Sequence, residues 1–310
     1  MWQAGHGMHG LGDLPNGIFS SAASGVSDDG DTVVGRGQAV LGSRAWSRAW
    51  RWTRAEGMVD LGDLPGGIIA SAASDVSSDG TVIVGYGSST AGFEAFRWTV
   101  ETGMVGLGDL RGGGFHSAAS AVSSDGLVIV GFGQTRAGRE AFRWTKHRGM
   151  RTLGDLQGGE VSSEAADVSA DGSVVVGRAR TDRGDAAFVW DVRRGMRSLR
   201  DVLVGAHGVD LDGWVLGAAT AVSDDGSIIV GTGTNAQGRT EAWRAVLPRE
   251  RAARSPSAAG LVFTTDADVL PRITAATKPR RNGEGGLYGA ALSIVARTLP
   301  ALQVGSPGSP

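Results

Sequence analysis

The chain has 310 residues, with 30 Lys and Arg against 32 Asp and Glu and no cysteine. A nearly balanced charge lacks the basic excess that nucleic acid and anionic membranes attract, so the sequence predicts no nucleic-acid partner. Without cysteine, disulfides, thiolate metal sites and a cysteine nucleophile are excluded.

The N-terminal stretch MWQAGHGMHGLGD has neither the basic region nor the apolar region of a signal peptide. The longest apolar stretch, Leu287–Val304, is interrupted by Arg297 and Pro300, and no membrane span is predicted from it. The 51 glycines are spread among short apolar runs, which indicates many tight turns between short strands.

Two short blocks recur along most of the chain. The block V-S-x-D-G begins at Val26, Val76, Val122, Val168 and Val222. The block L-G-D-L begins at Leu11, Leu61, Leu107 and Leu153. The steps from Val76 to Val122 and from Val122 to Val168 are both 46 residues, so the chain is an array of one repeated unit.

Each repeat contains four predicted strands, a to d. In the second copy they are strand a at Ser71–Ser77, strand b at Thr81–Gly87, strand c at Glu94–Thr99 and strand d at Gly103–Leu110. Asp79-Gly80 predicts a hairpin turn, because this turn needs a residue with positive φ. The β-branched run of strand b is typical of a strand covered on both faces. Phe96 and Trp98 share one face of strand c, and we expect them to pack between neighbouring units.

Four strands in 46 residues predict an all-β protein, a β-propeller of about five four-stranded blades over residues 1–249. The fifth copy lacks its own strand d, and Gly7–Leu14 is predicted to supply it and so to close the ring. A β-solenoid is the alternative. Trp2 lies six residues before Met8, as in strand c of the other copies, so a larger propeller truncated at its N-terminus is a second alternative. Residues 250–310 are low in core-forming residues and are predicted to be a disordered tail.

The elements A-F-R-W-T, G-M-V-x-L-G-D-L-P-G-G and V-S-x-D-G-x-V-I-V-G, in repeated order over roughly residues 1–248, resemble the HAF-repeat family of extracellular bacterial proteins. The resemblance implies a propeller-like protein that is exported or displayed at the cell surface and has no established biochemical activity. The His-Ala-Phe that names the family is replaced in every copy, for example by Glu94-Ala95-Phe96. No signal peptide is predicted from the N-terminal stretch, which leaves open either a truncated N-terminus or an intracellular interaction protein.

Carboxylates at loop positions are the candidate ligand contacts. Strand polarity places the d–a and b–c loops on one side of the disc, so the Asp of L-G-D-L and the Glu at the start of strand c are predicted to form a rim there. The rim residues are Asp13, Asp63, Asp109, Asp155, Glu94, Glu140 and Glu241. The alternative is that each Asp accepts backbone hydrogen bonds from its own turn. Trp46 lies outside the repeat and is a further candidate contact.

No catalytic, cofactor or metal residues are predicted. The five histidines show no metal spacing, and there is no G-x-S-x-G motif or Ser–His–Asp ordering. Near-identical copies favour a non-catalytic binding or structural module of the cell envelope, with a glycan or a cell-surface protein as partner. The alternative is a glycosidase or lyase that uses the rim carboxylates. The sequence makes no prediction of the oligomeric state.

Overall fold

The computed structural model describes residues 2–3, 7–15, 17–41, 44–247 and 260–261. It confirms the all-β prediction, since these residues form five four-stranded antiparallel sheets and one small hairpin. The hairpin consists of β1 (Trp2–Gln3) and β2 (Gly7–Met8). Sheet 1 consists of β3 (Gly17–Val26), β4 (Thr32–Leu41), β5 (Arg44–Thr53) and β6 (Gly57–Asp60). Sheet 2 consists of β7 (Gly66–Val76), β8 (Ile83–Ser89), β9 (Gly92–Thr99) and β10 (Gly103–Gly106).

The remaining three sheets repeat this order. Sheet 3 consists of β11 (Ala118–Val122), β12 (Val128–Gln134), β13 (Arg139–Thr145) and β14 (Gly149–Gly154). Sheet 4 consists of β15 (Ser163–Val168), β16 (Val174–Thr181), β17 (Gly184–Asp191) and β18 (Gly195–Ser198). Sheet 5 consists of β19 (Val215–Val222), β20 (Ile228–Thr234), β21 (Thr240–Val246) and β22 (Gly260–Leu261). The four predicted strands of the second copy are therefore β7 to β10, although β10 ends at Gly106, before the L-G-D-L turn.

The V-S-x-D-G block forms the predicted turn between the first two strands of each sheet. In sheet 2 the hydroxyl of Ser77 donates to Asp79 at 2.6 Å and accepts from the backbone N–H of Val82 at 3.0 Å. Gly80 supplies the positive φ of 74°. The same two hydrogen bonds and the positive φ of the glycine recur in the other four copies, so the block is a turn built by its own residues.

Neighbouring sheets pack face to face through the apolar residues of their inner three strands. Val84 and Ala95 of sheet 2 lie against Val122, Ile129 and Phe142 of sheet 3, and all five are buried. Equivalent clusters join sheets 1 and 2, sheets 3 and 4, and sheets 4 and 5. We call the face of a sheet that packs on the preceding sheet its leading face, and the face that packs on the following sheet its trailing face.

Polar contacts tie the same interfaces together. The buried hydroxyl of Ser117, at the leading face of sheet 3, accepts from the backbone N–H of Ala95 in sheet 2 at 3.0 Å. Ser71 and Ser163 do the same for Ala49 and Ala141. The turns are also linked in series by backbone hydrogen bonds, from Asp28 to Ser78, Ser124, Ala170 and Asp224. One interface geometry is therefore repeated around the molecule.

The first strands of sheets 2 to 5 converge on one cavity, which is lined by Ser74, Ala118, Ala165 and Ala218 among others. Strands that meet around a common axis are the radial arrangement of a propeller, whereas a solenoid would stack them side by side. The predicted propeller is therefore confirmed, and the solenoid alternative is not.

The predicted ring closure is wrong in two respects: the described part of the N-terminal segment does not pair with sheet 5, and a short strand from the predicted tail does. Gly7–Met8 pairs with Trp2–Gln3, in the register Trp2 with Met8 that strands c and d have in the other copies. Pairing within this hairpin closes a very short loop and competes with the distant edge of sheet 5. That edge is instead occupied by β22, where Gly260 pairs with Val246. The fourth strand of sheet 5 thus comes from the segment predicted as a tail; the other residues of that segment lie outside the described residues.

An insertion precedes sheet 5. Leu199–Asp201 form a single helical turn that continues as a one-turn π-helix, Val202–Ala206. Leu199 and Leu203 are fully buried against sheets 4 and 5, so the insertion adds to the core of that interface. Within the part of the chain that the structure describes, no helix has the length and apolarity needed to cross a membrane.

Candidate ligand site in the central cavity

The aspartates of the L-G-D-L turns bind backbone N–H groups. Asp63 accepts from Leu64 at 2.9 Å and from Ala70 at 2.6 Å, one bond to each carboxylate oxygen. The other three aspartates, Asp13, Asp109 and Asp155, make the same pair of bonds. These side chains stabilise the turn that leads into strand a. Backbone hydrogen bonding of this kind was the predicted alternative to a ligand role. Their ligand role stays a prediction.

Burial perturbs two of these carboxyl groups. It raises the pKa of Asp63, and hydrogen bonds from the backbone of Ala70 and Leu64 oppose that rise. Burial also raises the pKa of Asp155, and the nearby charge of Glu140 adds to the rise. Both groups are therefore less ready to ionise than an exposed aspartate.

Two of the predicted glutamates, Glu94 and Glu140, lie beside an L-G-D-L turn. Glu94 accepts from the backbone N–H of Gly108, in the next L-G-D-L turn, at 2.8 Å. Glu140 accepts from the hydroxyls of Thr135 and Thr152. Glu241 accepts from the side-chain amide of Asn235 at 2.9 Å.

Trp46 lies in the extended β4–β5 hairpin of sheet 1, opposite Ala39, and is half-buried. The extra residues of the first copy lengthen both strands of this hairpin to 10 residues. Trp46 does not line the cavity described next, so it stays a separate candidate contact.

The cavity that is lined by sheets 2, 3, 4 and 5 has a volume of about 560 Å³. This is within the range of small-molecule sites in proteins. Its floor is made of small residues from the first strands, while larger side chains form its wall: Tyr86, Phe93, His116, Phe132, Arg139, Glu164 and Arg178.

Four rings form a continuous row along this wall. Tyr86 meets Phe93 edge to face at 6.0 Å between ring centroids, and Phe93 meets His116 at 5.9 Å. His116 meets Phe132 edge to face at 5.6 Å. The guanidinium of Arg139 lies over the Phe132 ring at 4.3 Å from its centroid, which is cation–π geometry. The row therefore ends in a positive charge.

An ionic group continues the wall in sheet 4. Glu164 accepts from Arg139 through one oxygen and from Arg178 through the other. Burial disfavours ionisation of Glu164, but the hydrogen bonds and charges of both arginines outweigh it and lower its pKa. The carboxylate is thus ionised and fixed between two cations. Arg178 also lies 4.0 Å from Asp185, which is outside the cavity lining, so the excess positive charge belongs to the lining alone.

The repeat itself places these residues side by side. Tyr86, Phe132 and Arg178 occupy the same position of the second strand in sheets 2, 3 and 4, and they pair across to Ala72, Ala118 and Glu164 of the first strand. His116 is anchored by its backbone N–H, which donates to the predicted rim residue Asp109 at 2.6 Å. Asp109 therefore contributes to the cavity by positioning a loop.

The sequence prediction missed the cavity side chains. They occupy positions at which the copies differ in chemistry, Tyr, Phe and Arg at one position and Ala, Ala and Glu at its neighbour. Comparing the copies for the positions at which they differ, and not for the residues that they share, would have identified these side chains.

A second cavity of about 330 Å³ lies at the insertion, between Arg200, Val209 and Trp214. In its Asp210–Gly213 loop, Asp210 accepts from the backbone N–H of Asp212, which has the positive φ of 47°. Among the residues that the structure describes, no three His, Asp or Glu side chains group as a metal site.

No family model and no curated protein matches the chain. Among solved structures, a prolyl endopeptidase has a TM-score of 0.51 at 10% identity, covering 73% of this chain and 33% of its own. TolB from Acinetobacter baumannii has a TM-score of 0.41 at 13% identity, covering 60% of this chain and 44% of its own. The β-propeller domain of the Trilobed protease from Pyrococcus furiosus has a TM-score of 0.36 at 12% identity, covering 78% of this chain and 84% of its own.

The chain thus spans less than half the length of the first two proteins. At these identities the similarity shows the β-propeller fold alone.

Proposed function

We propose that this protein is a non-catalytic binding module that holds an acidic glycan in its central cavity. The observation that carries the proposal is the unbroken row of rings and charges from Tyr86 to Arg178 on the cavity wall. Aromatic faces pack against the apolar face of a sugar ring, and planar charged groups bond its hydroxyls. Two arginines and one carboxylate line the cavity, and this balance at its surface favours a sugar that carries a carboxylate.

Glu164 supports the non-catalytic part of the proposal. Glycoside hydrolysis uses two carboxyl groups, one of which keeps its proton at neutral pH because its pKa is raised. Glu164 is the one carboxylate among the described side chains that line the cavity, and the two arginines lower its pKa. It is a structural anion and a poor proton donor.

The resemblance to HAF-repeat proteins supports an exported or cell-surface location for the module, where glycans are abundant. A structural role in the cell envelope is compatible with the same site. Fractionation of the source cells, followed by detection of the chain, tests the location; recovery from the cytoplasm alone contradicts it.

The binding test is calorimetric titration with oligogalacturonate, an acidic oligosaccharide, and with a neutral oligosaccharide of equal length. We expect the acidic ligand to bind more tightly, and Phe93→Ala to weaken it about five- to tenfold through loss of ring packing. Phe115→Ala is the matched control, because Phe115 has the same 37% exposure as Phe93 but does not line the cavity.

Three results overturn the proposal in different ways. No binding of either oligosaccharide at millimolar concentration removes the glycan. Equal losses from the Phe93 and Phe115 variants remove the cavity as the site. Release of shorter or unsaturated products on long incubation shows an enzyme, and then the lyase or glycosidase alternative replaces a non-catalytic module.

A further inference from the structure

Among the residues that the structure describes, part of the leading face of sheet 1 and part of the trailing face of sheet 5 are exposed, although Trp50 on the first of these faces is buried in a cluster with Leu14 and Met58. Val26, on the first of these faces, is 39% exposed, whereas its counterparts Val76, Val122, Val168 and Val222 are at most 7% exposed. Val230, on the second face, is 38% exposed, whereas Val34, Val84, Val130 and Val176 are fully buried. Apolar residues that every other copy buries are thus open at the two ends of the array.

The polar contacts of the interface are incomplete at the same two places. Ser21 is exposed and donates to the carbonyl of Gly12 at 3.2 Å, as Ser71 does to Gly62. Ser71 is buried at the interface with the preceding sheet, where the backbone N–H of Ala49 also donates to its hydroxyl. The residue equivalent to Ala49 in sheet 5 is Ala242, which is exposed.

The two faces match each other because both derive from one repeated interface. A leading face of this sequence packs on a trailing face of this sequence at four places within the chain. Among the described strands, those of sheet 5 make no comparable packing with those of sheet 1. Two different but complementary patches on one molecule produce head-to-tail association, which closes into a ring or continues.

We propose that sheet 1 of one molecule docks on sheet 5 of a second copy, repeating the internal interface. In this contact Val26 is covered by Val230 and its neighbours, and the backbone N–H of Ala242 donates to the hydroxyl of Ser21. The association buries on each side the surface that an internal sheet buries, so it depends on apolar contact and only weakly on salt.

Single cysteines test the contact directly, since the chain has none of its own. Ser21→Cys and Ala242→Cys are prepared separately, mixed, and treated with a short thiol cross-linker. We expect a covalent dimer that contains one copy of each variant, and little dimer from either variant alone. The double variant Ala49→Cys with Ser71→Cys, at an equivalent internal position, shows that this geometry can be linked when the cross-linker is present during refolding from urea, because both positions are buried in the folded chain.

The double variant Ser21→Cys with Ala242→Cys distinguishes contact between two molecules from contact between sheets 1 and 5 of the same molecule. An internally linked single chain, together with no dimer from the mixture, overturns the proposal. Sedimentation of the unmodified chain gives an independent readout. We expect its mass to rise with concentration and Val230→Glu to abolish the rise, while Val100→Glu, at a residue that is 73% exposed in a turn, leaves it unchanged. A monomer at all concentrations also overturns the proposal.

Discussion

Arg178 donates two hydrogen bonds to one carboxylate oxygen of Glu164, from Nε at 3.0 Å and from Nη2 at 2.8 Å. The other oxygen accepts from Arg139, which belongs to the preceding sheet. One carboxylate therefore joins two sheets at the wall of the cavity. The side chain of Glu164 is only 21% exposed, so solvent screens these contacts less than it screens a surface ion pair.

Glu164→Gln tests the structural value of this carboxylate. The amide keeps the shape of the side chain but removes the charge that holds the two arginines together. We expect the free energy of unfolding to fall by about 1–3 kcal/mol, as measured by urea denaturation. Glu160→Gln, at an exposed position nearby, is the control and changes it by less than about 0.5 kcal/mol. Equal values for the two variants contradict the assignment.

Acid should remove the contribution of Glu164. Burial works against ionisation, but Arg139 and Arg178 lower the pKa below its ordinary value of 4.5. A carboxyl group with a lower pKa in the folded state contributes stability that is complete above its unfolded pKa and is lost as the pH falls through its folded pKa. The stability difference between wild type and Glu164→Gln is therefore largest at neutral pH and shrinks below about pH 4.5.

Asp63 should behave with the opposite sign. Its pKa is raised by burial, so its charged form is less favourable in the folded state than in the unfolded state. As the pH falls from neutral through its folded pKa, protonation relieves this penalty, and wild type gains stability relative to Asp63→Asn. Parallel urea titrations of both variants between neutral pH and pH 3 measure the two trends. If the two stability differences changed with pH in the same direction, the opposite pKa shifts of Asp63 and Glu164 would be contradicted.

The repeated serine gives a test of the interfaces between sheets. Ser71→Ala removes a buried hydroxyl and leaves the N–H of Ala49 without its acceptor, for an expected loss of about 1–3 kcal/mol. Ser21→Ala at the uncovered end removes one exposed hydrogen bond and should cost less than about 1 kcal/mol in dilute solution. Thermal unfolding at low protein concentration measures both. A cost for Ser21→Ala as large as that for Ser71→Ala would mean that the end face is already covered in the single chain.

The fold could be predicted from the sequence because its information is local and repeated. Asp79-Gly80 and its equivalents specify a turn, and the apolar run after each turn specifies a strand. The closure of sheet 5 could not be predicted in the same way. Gly260–Leu261 is a strand of two residues without a pattern of its own, and it forms only because the edge of β21 is available to it.

The candidate site was harder to predict because it is made by differences between copies. Tyr86 and Phe93 belong to one copy, Phe132 and Arg139 to the next, and Glu164 to a third. No two of them form a motif in the chain, and their contacts depend on the angle between sheets. The predicted Asp109, by contrast, belongs to the shared pattern, and its two oxygens bind the backbone of the shared turn.

The close approach of strands beside the cavity gives a last test. Gly131 precedes Phe132 in β12, and a Cβ at this position would lie 2.0 Å from the carbonyl oxygen of Ala118 and 2.9 Å from the Cα of Ala119. Both atoms belong to the backbone of β11, so Gly131→Ala can be accommodated only by separating the two strands. We expect a loss of about 3 kcal/mol or more in the free energy of unfolding, because overpacking against backbone cannot relax. Gly114→Ala is the control, since its Cβ would meet no atom within 4 Å. Urea denaturation of both variants measures the difference, and a cost for Gly131→Ala within about 1 kcal/mol of the control would show that β11 and β12 are not paired as described.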